Sequence, residues 1–126
     1  MPDISDRRPE AREQPRLKVP AMYTLLRVRP LGSSRYNWTG YIYDISVSGM
    51  RFELDSPLDP GTEVEVRGML PGNRHVTFRA TGKVIRLHDD EHHGPVRMGM
   101  TFDSFAQSID RQRLCDYLTD FGLKAA

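Results

Sequence analysis

The most constraining feature of this chain is a series of short segments in which apolar residues recur at every second position, each closed by a turn signal, with no helical period before about residue 105. Leu17, Val19, Ala21, Tyr23, Leu25 and Arg27 predict a strand over about 17–29, with Pro20 marking an edge position or a bulge. Residues 30–37 (PLGSSRYN) read as a loop. Trp38 to Ile45 is aromatic and β-branched, a second strand. Ser48-Gly49 breaks it, and Met50 to Leu54 alternates again. Leu58-Asp59-Pro60-Gly61 is a turn in which Pro60 presets φ and Gly61 takes a positive one. In TEVEVRGML, Val64 and Val66 share a face, and Pro71-Gly72-Asn73 turns the chain. Val76, Phe78, Ala80, Gly82 and Val84 share one face of a long strand over 76–88. Asp89 to Pro95 is a polar turn, and Val96, Met98, Met100 and Phe102 face inward from a last strand. About six strands at short spacing, with no helix between them, predict a mainly β protein: an antiparallel sheet closed or nearly closed into a barrel.

A helix is predicted over about 105–121. Leu114, Tyr117, Leu118 and Phe121 form an apolar stripe that should pack on the barrel and cover an opening or edge. Ser104 with Gln107 fits a capping box, and Gly122 fits a stop after the last turn. At 126 residues there is room for one domain. Residues 1–15 are charged, contain Pro2, Pro9 and Pro15, and lack an apolar period. They read as a flexible arm preceding a packed unit over 16–122.

Charge narrows the function. Lys and Arg total 18 and Asp and Glu 17, a net charge of +1, without the basic excess of a general polynucleotide binder. No apolar run approaches a membrane span, and the N-terminus shows no signal peptide. One cysteine, Cys115, excludes an internal disulfide and a multi-cysteine metal site, and a cytoplasmic setting is expected. Cys115 has no histidine at a local spacing and reads as structural. His88 to His93 (HDDEHH) reads as a charged turn, because no rigid element presets a metal geometry there. Trp38, Tyr41, Tyr43 and Phe52 suit barrel packing better than a base-stacking platform. No case for catalysis, a metal or a cofactor emerges.

Two motifs stand out. The arm carries Arg7, Arg8, Arg12 and Arg16. The corner between the second and third strands carries Asp44-Ile45-Ser46-Val47-Ser48-Gly49, a DxSxxG. In a strand, Asp44 and Ser46 point to one face, and Gly49 permits a tight turn or a close backbone approach. Arginines opposite an Asp/Ser pair suit a small anion bearing a base. Arginine forks onto phosphate and onto the O6/N7 edge of guanine, and stacks on base faces. A carboxylate accepts from guanine N–H groups, which adenine cannot reproduce in the same pattern.

RxxxR, a strand, DxSxxG, a barrel and a C-terminal helix together resemble the PilZ domain, a bacterial receptor for cyclic di-GMP. LDPGTEVEV and VRMGMTF add to the resemblance, which covers about residues 8–121. It implies that Arg12 and Arg16 grip phosphates and guanine faces, while Asp44, Ser46 and Gly49 hold a guanine edge. Arg8/Arg12 and Arg12/Arg16 both satisfy RxxxR. The second pair is preferred because Arg16 directly precedes the strand start Leu17-Lys18-Val19, as the family's second arginine usually does. Ala11 stands where many relatives have a further arginine, which implies one bound ligand rather than a stacked pair. The expected protein is a non-enzymatic receptor that signals by ordering its arm to a downstream protein partner. The alternative is a PilZ-like module that has lost the ligand and binds proteins.

Overall fold

Alternating residues bury one face when the sheet carrying them bends round a common interior, and these strands do so. A computed structural model of the chain describes residues 16–72, 76–85 and 97–125. In chain order the elements are β1 (Leu17–Lys18), a 3₁₀ turn (Ala21–Tyr23), β2 (Leu25–Pro30), β3 (Trp38–Ser46), β4 (Gly49–Leu54), β5 (Glu63–Leu70), β6 (Val76–Ile85), β7 (Arg97–Phe105) and α1 (Ser108–Ala125). All pairings are antiparallel. The ring runs β2–β5–β6–β7–β4–β3 and closes from β3 back to β2, a six-stranded barrel with β1 as a short addition on β3. Leu26, Val28, Ile42, Ile45, Phe52, Val64, Val66 and Phe78 fill its interior and are fully buried. The predicted turn at Gly61 is present, with φ at 91° and Thr62 N–H donating to the Asp59 carbonyl at 3.2 Å. The predicted arm over 1–15, Asn73, the end of the 76–88 strand, the Asp89–Pro95 turn and Val96 lie outside the described residues.

The predicted continuous strand over 17–29 is instead two strands in opposite phase. Leu17 and Val19 face inward before the break, Leu26 and Val28 after it. The 3₁₀ turn beginning after Pro20 absorbs the change, and Tyr23 N–H donates to the Pro20 carbonyl at 2.9 Å. β1 and β2 therefore serve the same edge of β3 in two pieces, Lys18 opposite Asp44 and Leu26 opposite Gly40. Between them the Ile42 N–H has no strand partner on that edge. Thr24 supplies one: its Oγ1 accepts from Ile42 N at 2.8 Å and donates to the Ala21 carbonyl at 2.7 Å. Because a buried donor without a partner is costly, Thr24→Val should lower stability by about 1–3 kcal/mol, readable as a fall in urea midpoint.

The helix begins three residues later than the sequence predicts, and the expected capping box is not the one used. Ser104 belongs to β7, where its hydroxyl meets Thr81 Oγ1 at 2.8 Å. The carboxylate of Asp110 does the capping. It is almost fully buried and accepts from Gln107 N–H and from Arg79 N–H, each at 3.0 Å. One oxygen thus caps the start of the helix and the other ties it to β6. The helix also continues through Gly122 to Ala125 rather than stopping there. The predicted stripe packs as expected: Leu114 and Tyr117 are buried, and Leu118 and Phe121 rest on the core. Because α1 touches β6, β7 and β1, it crosses one mouth of the barrel.

Tyr117 donates its hydroxyl to the Pro71 carbonyl at 2.8 Å. Burial pushes its pKa up to about 12, from an ordinary 10.0. The folded chain therefore holds this proton more tightly than the unfolded one. The resulting stability is complete below pH 10.0 and is lost as pH rises toward about 12. Thermal melts across that range should show a shallower alkaline decline in Tyr117→Phe than in the parent. An unchanged decline would exclude Tyr117 as its source.

Candidate functional site

The DxSxxG motif faces outward because of one irregularity in β3. Ile42 pairs with Phe52, but the next registered pair is Asp44 with Arg51, so Tyr43 is an extra, bulged residue. Before the bulge, even-numbered residues face the core. After it Ile45 does, opposite Met50, while Asp44 and Ser46 lie on the outer face. Asp44 and Ser46 do share a face, as the sequence predicts.

On that outer face Arg16 Nη1 lies 2.7 Å from Asp44 Oδ1. The Asp44 side chain is 11% exposed and that of Arg16 is 40% exposed, so the carboxylate is recessed and the guanidinium reaches it from solvent. Arg51 Nη1 approaches Oδ2 of the same carboxylate at 3.9 Å. Lys18 stands directly opposite Asp44 on β1. Asp44 is therefore a lone recessed acid among three cations. Ser46 stiffens the corner: its Oγ accepts from Ser48 N at 3.2 Å, donates to the Gly49 carbonyl at 3.4 Å, and lies 3.1 Å from Ser48 Oγ.

Gly49 is required for neither a positive φ nor a tight turn. It begins β4 opposite Thr101, and a methyl group there would overlap the Met100 carbonyl oxygen of β7. Beside this corner a groove of about 500 Å³ is lined by Val47, Ser48, Phe102 to Phe105, Gln107, Ser108 and Arg111.

The aromatic residues divide. Phe52 is in the core and Trp38 packs on it, while Tyr41 is exposed. Tyr43, on the bulge, donates to Glu53 and lies under the Arg97 guanidinium, 4.3 Å from its ring centre. Burial, then the bond to Glu53, raises its pKa.

Of the predicted site residues, the structure brings Arg16, Asp44, Ser46 and Gly49 together. Arg8 and Arg12 lie outside the described residues, as do His88 to His93. Sequence reasoning missed Arg51 and Lys18. Arg51 could have been found, since it alternates with the buried Met50 and Phe52 two positions after Gly49. Lys18 becomes visible only through its pairing with Asp44.

A sequence model of the PilZ domain matches residues 7–120. The chain belongs to the PilZ family. PilZ domains are a cyclic di-GMP-binding family, and the match takes in both RxxxR and DxSxxG. Among solved structures, the Bacillus subtilis inhibitor of motility MotI/DgrA shares the fold of this PilZ domain. Its TM-score is 0.68 at 19% sequence identity, with 94% of this chain covered. The chain spans about half of that protein's length, 53%. No curated protein matches the sequence. Among the described residues, no helix is long and apolar enough to cross a membrane.

Proposed function

We propose that this PilZ domain is a non-enzymatic cytoplasmic receptor that binds one cyclic di-GMP between its N-terminal arginines and the outer face of β3. Arg12 and Arg16 take phosphate oxygens and stack on guanine, with Arg8 beside them, while Asp44, Ser46 and Gly49 hold a guanine edge. One observation carries this reading. The second arginine of RxxxR and the acid of DxSxxG, 28 residues apart in the chain, meet at 2.7 Å on one exposed face. Two residues that separately suit the same ligand are thus already placed together.

Binding makes the ligand a rival for both partners. Guanine N–H groups replace Arg16 on Asp44, and phosphate or base replaces Asp44 on Arg16. Arg51 stays against the carboxylate, so Asp44 keeps a cationic neighbour during the exchange. The output is the fixing of residues 1–15 against the barrel, which changes the surface seen by a downstream protein. Fixing each residue's backbone costs about 1–2 kcal/mol, which sets the expected affinity in the micromolar range.

Calorimetric titration with cyclic di-GMP, using GTP as control ligand, tests the proposal. Saturable heat with one site per chain supports it. No heat from a folded chain at high ligand would overturn it and favour a ligand-free protein-interaction module.

A further inference from the structure

Register places three arginines in one line. Arg27 on β2 pairs with Arg67 on β5, and Arg67 pairs with Arg79 on β6. Thr39 on β3 continues the row beside Arg27. Partners in an antiparallel ladder have Cα atoms about 4.5–5.5 Å apart, and like charges directly opposite destabilise a sheet. Arg27 and Arg67 are exposed and Arg79 is half-buried. Among the described residues, no carboxylate lies within ion-pair distance of any of the three. In a chain of net charge +1, this local excess is built by placement rather than by composition.

The adjoining row shows what this surface accepts. Glu65 takes Arg29 Nη2 on one oxygen at 2.6 Å and the Tyr36 hydroxyl on the other at 3.2 Å. Arg29 and Arg67 flank the Tyr36 ring at 5.0 and 5.1 Å. A carboxylate is therefore already received here by one arginine nitrogen and a tyrosine hydroxyl, while among the described residues no carboxylate pairs with the guanidinium of Arg27, Arg67 or Arg79.

We propose that the outer face of β2, β5 and β6 is a docking surface for an acidic protein segment, whose carboxylates are received by Arg27, Arg67 and Arg79. In the ring, β5 and β6 stand across from β4 and β3, and Arg27 on β2 lies beside Thr39, at the opposite end of β3 from Asp44, so this surface is separate from the Asp44 site and does not depend on the ligand reading. The small net charge gives no long-range pull on a polynucleotide. No exposed large apolar side chain lies in the row to enter a bilayer.

The test is fluorescence anisotropy of a labelled peptide alternating glutamate and glycine, titrated with the full chain. An oligo(dT) of equal length and phosphatidylglycerol vesicles serve as the competing probes. The peptide should bind, and Arg27→Glu with Arg67→Glu should weaken it about tenfold or more, while Arg97→Glu with Arg113→Glu, on β7 and α1, leaves it unchanged. Relief of like-charge opposition should also raise the melting temperature of Arg27→Thr. Peptide binding that survives the reversal, an absence of peptide binding, or tighter row-dependent capture of the oligonucleotide or vesicles would each overturn the proposal.

Discussion

Arg16→Ala should abolish calorimetrically detectable cyclic di-GMP binding and leave the barrel folded. The two effects separate because Arg16 does little for the fold. Its side chain is 40% exposed and its ion-pair partner among the described residues is Asp44. The pair is exposed on the arginine side, and Arg51 stays near the recessed carboxylate when Arg16 is removed, so the loss should be about 1 kcal/mol and the denaturant midpoint should move little. Toward the ligand, Arg16 supplies charge-assisted bonds worth about 1.5–3 kcal/mol before any stacking is counted. Micromolar binding is about −8 kcal/mol, and that loss with the stacking takes the complex out of range. Arg16→Lys should fail nearly as badly, since an ammonium keeps the charge but neither the fork nor the planar face. Binding by Arg16→Ala at the parental affinity would move the arginine pair to Arg8 and Arg12.

Phe78→Ala should be the most destabilising single substitution in the core, costing about 3–5 kcal/mol of a total of about 5–15. The ring is fully buried and meets Phe102 edge-on, with centroids 5.9 Å apart. Gly68, opposite it on β5, makes room for it: a methyl group there would strike the Phe78 ring. No neighbour can move in to refill the space, because the surrounding positions sit on a closed ring of strands. Equilibrium urea unfolding should show the loss as a lower midpoint at an unchanged slope. Phe78→Leu, which keeps most of the volume, should lose far less. Equal losses for the two variants would mean that the edge-on aromatic contact, not the filled volume, carries the stability.

The contrast between these variants matches what was legible beforehand. Strands, their inward faces and the closing helix stripe follow from local alternation, and Val64, Val66, Phe78, Met100 and Leu114 are where the period puts them. The shared face of Asp44 and Ser46 follows from the same rule. What was not legible depends on a partner strand. The phase reversal after Pro20 needs the 3₁₀ turn to be known. Asp110 displaces Ser104 as the capping residue because it can also reach Arg79 on β6. The three-arginine row exists only once the β2–β5–β6 register is set, since nothing within any one of those strands singles its arginine out.

The bulge at Tyr43 means that the face carrying DxSxxG is set by register as well as by letters. One strand lines the interior up to Ile42 and presents Asp44 and Ser46 outward from the corner beyond, and a single additional residue separates the two phases. Deleting Tyr43 would leave DxSxxG intact to the letter. That deletion would remove the bulge and keep Ile42 opposite Phe52 and Asp44 opposite Arg51, so the motif would stay outside; unbroken alternation with Tyr43 kept, Tyr43 opposite Arg51, would instead turn Asp44 and Ser46 toward the hydrocarbon interior and put Ile45 outside. Homologues that keep all these residues but pair them without the bulge would still carry the motif, while having no acid on the outer face to offer a guanine. Register at the bulge, as much as motif content, should therefore divide related chains that present this acid outward from those that do not.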